Sequence, residues 1–301
     1  MSFDSQHIRH AFSRAAATYD GAAALQREVG ARLAESLPHY ALSADRQGAT
    51  PAVVLDVGSG TGALAAHAQA LWPRACVVAL DLALPMLARR PRGSLADAVR
   101  RRARPRPVCA DARAVPLREA SVDVVVSNLC LQWTEDLPAV LAGFRRLMRP
   151  GGLLLFSTFG PETLHELRAA FAGDAVPHVS GFAPIAAVGD ALVAGGWRDP
   201  VLDRDVFVRG HADLPALMRE LRELGATNAS DARRRTLTGR GRFARAAAAY
   251  EPLRRDGLLP SSWEVLYAQA WAPPHGTPVR IGGADEVRIP VHGIPVRTRG
   301  A

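Results

Sequence analysis

A strand that breaks into glycines constrains this chain more than any other segment. Ala52-Val53-Val54-Leu55-Asp56-Val57 is a short β-branched run, and Gly58-Ser59-Gly60-Thr61-Gly62 follows it at once. Such a run fits a buried strand, and the glycines let the backbone turn tightly into a helix and approach a ligand without a Cβ in the way. Similar runs recur at 76–80, 122–127 and 153–157, with helix-compatible segments between them. Strands alternating with helices predict βαβ units and a parallel sheet.

Ahead of this unit, Ile8, Phe12, Ala16 and Tyr19 lie at helical spacing over 6–20, and Leu25, Val29, Leu33 and Leu37 form one stripe over 22–37. Beyond it, 161–172 reads as a helix with Pro161 in its first turn and Leu164, Leu167 and Phe171 as its stripe. A second helix over 213–224 starts at Asp213 as N-cap and stops at Gly225. The β-like runs 201–208 and 263–271 flank this helical insertion and are expected to complete the sheet.

The formal charge is +8, from 37 basic and 29 acidic residues, and every basic residue is an arginine. With no lysine, the chain has no Schiff-base lysine, no pyridoxal phosphate anchor and no P-loop lysine. Arginine stays protonated, so these side chains bind anions rather than act as bases. Cys76, Cys109 and Cys130 lack metal-ligand spacing and read as free thiols. No signal-peptide pattern or long apolar run is present, so a cytoplasmic location, away from membranes, is expected. One basic run gathers Arg89, Arg90, Arg92, Arg100, Arg101, Arg102, Arg104 and Arg106 around Asp97, and another spans Arg233 to Arg245. Neither has interleaved aromatics or a nucleic-acid-binding module, so an acidic protein partner or a solvated face is expected, and no nucleic acid.

Gly58, Gly60 and Ala63 alone also satisfy the dinucleotide pattern G-x-G-x-x-G/A. Asp81 ends the second strand nineteen residues after Gly62, where a carboxylate can accept from both ribose hydroxyls of an adenine nucleoside; a helix N-cap is the lesser alternative. Cys109-Ala110-Asp111-Ala112 ends a third strand, Val122 to Asn128 makes a fourth, and Arg149-Pro150-Gly151-Gly152 turns into a fifth. This ordered set, over about 50–160, resembles the class I S-adenosylmethionine-dependent methyltransferases. The resemblance implies an α/β Rossmann-like fold with a mostly parallel, seven-stranded sheet, helices on both faces and a helical insertion before the last strand. It implies S-adenosylmethionine as cofactor and no metal. The implied cofactor contacts are Asp56, Gly58, Ser59, Gly60, Gly62, Asp81, Leu82, Met86, Asp111, Ala112, Asn128 and Leu129.

A narrower resemblance rests on Phe12-Ser13-Arg14-Ala15-Ala16-Ala17-Thr18-Tyr19-Asp20, on Asn128 to Trp133, on Phe156 to Leu164, and on Leu224-Gly225-Ala226-Thr227-Asn228 with Arg233 and Leu237-Thr238-Gly239. Together they resemble the malonyl-acyl-carrier-protein O-methyltransferases of early biotin synthesis, from about residue 8 to residue 271. The family implies methylation of the free carboxylate of a malonyl thioester, with malonyl-acyl-carrier protein or malonyl-CoA as partner. It also implies N-terminal lid helices over 1–45, a methyltransferase domain over 46–271 with substrate-side helical segments at about 161–185 and 211–260, and a Pro/Gly-rich tail over 272–301. Tyr19 and Arg233 are the expected catalytic residues, with Arg14, Arg168, His178 and Asn228 on the substrate side and Trp133 as packing. Two other readings stand beside it: methylation of another small carboxylate, and, through Asn228 and Arg233, a resemblance to a complex I assembly factor that hydroxylates an arginine. A carboxylate is ionised at neutral pH, so carboxyl methylation needs no general base.

Overall fold

The computed structural model describes residues 3–42, 48–90, 103–174, 176–230, 233 and 239–274, with two short strands beyond them. Seven strands form one sheet: β1 (Val53–Val57), β2 (Cys76–Asp81), β3 (Arg106–Cys109), β4 (Val122–Asn128), β5 (Met148–Phe159), β6 (Arg198–His211) and β7 (Leu259–Trp271). Their order is β3-β2-β1-β4-β5-β7-β6; the first five are parallel, and β7 runs antiparallel to both of its neighbours. The order reverses between β1 and β4. In a parallel sheet, that reversal opens a crevice at the carboxyl ends of the strands.

Helices cover both faces because strand residues alternate. Leu55, Val57, Leu154 and Phe156 face one side and pack against α7 (Leu137–Leu147) and α9 (Ile185–Ala194) through Leu141, Phe144, Val188 and Leu192. Val54, Val124, Val126 and Leu153 face the other side, against Leu33 of α3 (Ala24–Glu35) and Ala65 and Ala68 of α5 (Ala63–Leu71). A third core lies beyond the end of β5, where Phe159 and Trp263 meet α8 (His165–Ala170), α10 (Leu214–Glu223) and α11 (Arg240–Tyr250). The short helix α6 (Leu84–Ala88) follows β2.

Three local expectations are corrected. The helix expected over 6–20 is two: α1 (Ser5–Ala15) and α2 (Tyr19–Ala22). The Thr18 hydroxyl lies within hydrogen-bond distance of the carbonyls of Ala15 and Glu223, which ties the intervening turn to α10. Pro161 is outside the helix that follows it, because the Thr163 hydroxyl donates to Glu264 O and Leu164 N donates to Ser262 O. These bonds hold 161–164 as a turn against β7, with Leu164 at φ 54°. The Arg149 to Gly152 stretch is an irregularity within β5: Met148 pairs with Val122, but Leu153 pairs with Val124.

Among the described residues, no helix is long and apolar enough to cross a membrane. In the 272–301 segment, β8 (Val279–Ile281) pairs antiparallel with β9 (Ala284–Glu286). Arg92, Asp97, Arg100, Arg101, Arg102, Arg234, Arg235, Leu237 and Thr238 lie outside the described residues, as does most of that segment.

Candidate active site

The crevice between β1 and β4 is built on the glycine turn, where Gly58, Gly60 and Gly62 hold φ 69°, 55° and 87°. The end of β2 anchors this turn. Asp81 Oδ2 accepts from Gly60 N at 2.8 Å, and Oδ1 accepts from Ala83 N at 2.8 Å. Burial raises the Asp81 pKa, and these two bonds oppose the rise. A carboxylate oxygen accepts more than one bond, so both oxygens retain capacity for a ligand diol. Gly58, Gly60, Leu82, Met86, Ala112 and Leu129 help to line about 770 Å³ of space open to solvent here. Asp111, on the same wall, is held by Arg113 through Nε at 3.0 Å and Nη2 at 2.7 Å, and that guanidinium keeps its pKa low.

Behind the glycine turn lies a second compartment, bordered by Tyr19, Asp56, Gly58, Ser59 and Asn128. Asn128 is fixed from two sides: its Nδ2 donates to Gln26 O at 2.9 Å, and its Oδ1 accepts from Ser157 Oγ at 2.8 Å. Thr61 Oγ1 donates to Asp20 Oδ1 at 2.6 Å, clasping α2 onto the turn. Tyr19 lines both compartments, a Cβ on Gly60 would lie 3.8 Å from its ring, and burial raises its pKa. Gly62 instead faces the stem of Arg90, 3.0 Å from where a Cβ would sit.

Asp56 is 1% exposed, and burial pushes its pKa up to about 7. A carboxyl whose folded pKa is raised adds stability while it is protonated and loses that contribution as pH climbs through the folded value. Thermal unfolding of the ligand-free protein is therefore expected to show stability falling between roughly pH 4 and 7, with Asp56→Asn flattening that slope. A slope unchanged in the variant would contradict the assignment.

A third cavity meets the first at Trp133. Its walls are apolar, with Phe159, Leu164, Phe171, Phe182, Met218 and Trp263 among them. Arg233, His178 and Asn228 supply polar groups there. Arg233 Nη2 pairs with Asp4 Oδ2 at 2.8 Å, Nη1 donates to Ser230 O at 3.2 Å, and the side chain is 13% exposed. His178 Nε2 lies 2.8 Å from Asp174 Oδ2, and the ring stacks on Phe171 at 3.9 Å. Asn228 donates to Pro177 O and accepts from Ser180 Oγ and Ser230 N.

The structure does not bring Arg14 or Arg168 to these cavities. Arg14 is exposed in the last turn of α1, and Arg168 spends its donors on Pro161 O and Thr163 O. Trp133 packs edge-on against Phe3 and Phe12 as well as lining two cavities. Sequence reasoning missed His7 and Arg222 in the third cavity and Gln26 in the second. Arg222 was within reach, since it sits four residues after Met218 on the recognised helix. Among the described residues, no His, Cys, Asp and Glu cluster suits a metal ion.

A model of the methyltransferase domain matches residues 55–156. A malonyl-[acyl-carrier protein] O-methyltransferase of Xylella fastidiosa (strain M23) is 54% identical over 99% of this chain and 98% of its own length. One from Laribacter hongkongensis (strain HLHK9) is 46% identical over 90% of each chain. The fold is shared with a candidate methyltransferase of Bacillus halodurans C-125, at TM-score 0.51 and 16% identity over 80% of this chain and 98% of that one. With that identity sustained along the whole length of the Xylella relative, the chain belongs to the malonyl-[acyl-carrier protein] O-methyltransferase family.

Proposed function

We propose that this chain methylates the free carboxylate of malonyl-acyl-carrier protein, giving the malonyl methyl ester and S-adenosylhomocysteine in an early step of biotin synthesis. The observation that carries the reading is 54% identity, over nearly the whole chain, to a relative bearing that name. Neither the other-carboxylate reading nor the arginine-hydroxylase reading is favoured by a comparison. The residues present fit the cofactor. Asp81 keeps acceptor capacity for a ribose diol, Leu82 and Met86 offer an apolar wall for a flat ring, and the glycine turn leaves room for close approach. S-adenosylmethionine supplies a methyl group on a positively charged sulfur, which leaves as a neutral thioether when the carboxylate oxygen bonds to carbon.

The chain's own work is positioning. Arg233, steadied by Asp4, presents a permanent cation to the malonate end, and the apolar walls of the third cavity exclude water from the anion. Tyr19 closes the seam between the cofactor compartments. Holding the reactants in line supplies roughly 7 to 11 kcal/mol of the barrier. The exposed Arg240, Arg242 and Arg245 of α11 are the described part of a basic run suited to steering an acidic carrier protein. Three free cysteines suit a cytoplasmic setting.

Labelled S-adenosylmethionine offered with malonyl-carrier protein, malonyl-CoA and free malonate is the direct test. Labelled ester on the carrier protein is expected, and its absence would overturn the reading. Arg233→Lys keeps the charge but loses the two-pronged fork, so the rate should fall at least tenfold with cofactor affinity unchanged. At saturating cofactor, the rate should show no ascending limb between roughly pH 6 and 7.5. A limb with a solvent isotope effect would instead implicate a proton in flight and His178. His165 is exposed at the start of α8, bonded to Glu162 O and outside the cavity.

A further inference from the structure

The third cavity is larger and more apolar than a malonyl group requires. It holds about 1540 Å³ of space open to solvent, against about 770 Å³ for the first. Its cationic end adjoins the cofactor compartment. There Asp4 pairs with Arg233, His7 Nε2 lies 3.3 Å from Thr227 Oγ1, and Phe3 packs on Trp133, the residue shared with the first cavity. The rest of the lining is mostly carbon. Phe182 and Met218 line the cavity and pack against the buried Phe159, Leu164 and Phe171 cluster, yet are themselves only half-buried, so apolar surface is left uncovered there. Polar side chains among these walls are already engaged: His178 with Asp174, Asn228 with Pro177 O, and Arg222 Nε with Met218 O.

An apolar wall contributes to binding in proportion to the apolar ligand surface it covers. A malonyl group offers it one methylene, set between two carbonyl carbons. A cation beside the cofactor, followed by an apolar body, is instead the complement of a longer dicarboxylic chain. Resting on the proposed function, we infer that this chain also methylates ω-carboxyacyl thioesters with more methylenes than malonyl, and that the Phe182 and Met218 wall covers the added chain. The step is the same for each homologue. A carboxylate oxygen bonds to the methyl carbon, the sulfur–methyl bond breaks with its electron pair left on sulfur, and no proton moves. Arg233 holds the ω-carboxylate at the cofactor end whatever the spacer, so the extra methylenes fall in the body of the cavity.

Malonyl-, succinyl- and adipyl-carrier protein form the test series, in which the carrier and the thioester are common and only the spacer changes. Each methylene moved from water to apolar walls is worth about fourfold in affinity. Adipyl-carrier protein, with three methylenes more than malonyl, should therefore bind at least tenfold more tightly to the full chain saturated with S-adenosylhomocysteine. Labelled S-adenosylmethionine should give labelled ester on the succinyl and adipyl carriers. Met218→Gln keeps the length of the side chain and puts an amide in the wall, so the preference for adipyl over malonyl should shrink at least threefold, with S-adenosylhomocysteine affinity retained as the sign of an intact fold. Ester on the malonyl carrier alone, adipyl binding no tighter than malonyl, or a preference that survives in Met218→Gln would each overturn the inference and leave the proposed function standing. Unlabelled carriers throughout, malonyl included, would overturn the proposed function itself.

Discussion

Replacing Asp81 with alanine is expected to weaken S-adenosylhomocysteine binding at least a hundredfold. Two charge-assisted bonds to a ribose diol are worth roughly 3 to 6 kcal/mol together, and each 1.4 kcal/mol is a factor of ten. The same carboxylate holds Gly60 N and Ala83 N, so its loss also frees the turn that shapes the cleft. Asp111→Ala should cost less, because that carboxylate is already engaged by Arg113. Calorimetry on both variants, with circular dichroism to confirm the fold, decides the matter. Unchanged affinity in Asp81→Ala would remove it from the site.

Gly58→Ala should abolish measurable cofactor binding and lower the melting temperature. Two costs add there. The residue sits at φ 69°, where a Cβ costs roughly 1 to 2 kcal/mol. The new Cβ would also fall 2.3 Å from Cys130 Sγ and 2.4 Å from Cys130 Cβ, far inside van der Waals contact. Turning the thiol cannot relieve the overlap, because the Cys130 Cβ is itself in it and is fixed to its own backbone, and Gly58 turns out of buried β1. Adding Cys130→Gly removes the overlap but not the backbone strain, so part of the binding should return. A Gly58→Ala protein with ordinary affinity would show that the turn tolerates a side chain.

The parts of this protein legible in sequence are those encoded by neighbours in the chain. The runs at 52–57, 76–80, 122–127 and 153–157 announced strands because residues covered on both faces must be apolar at successive positions. The turn at Gly58 to Gly62 was readable because positive φ is open to glycine at little cost. Asp81 was readable because the end of a parallel strand next to that turn has one outlook, into the crevice.

Other features depended on contacts between distant segments. The helix expected to begin at Pro161 yields to a turn because Thr163 and Leu164 bond to β7, about a hundred residues later. Among 37 arginines, sequence could not say which face the third cavity. Arg233 does so with Asp4 at its side, 229 residues away in the chain, whereas Arg14 is left in solvent and Arg168 turns back onto its own backbone. Gln26 reads locally as one polar position on an amphipathic helix. Its outlook is set by the crossing of α3 over β4 at Gly30 and Asn128. Sequence determined the sheet, the glycine turn and the carboxylate beside it, because backbone conformation and burial leave a local pattern. Tertiary structure alone brought Gln26, His7 and Arg222 to the cavities and kept Arg14 and Arg168 from them, because a side chain's outlook is fixed by the packing of elements that the sequence keeps far apart.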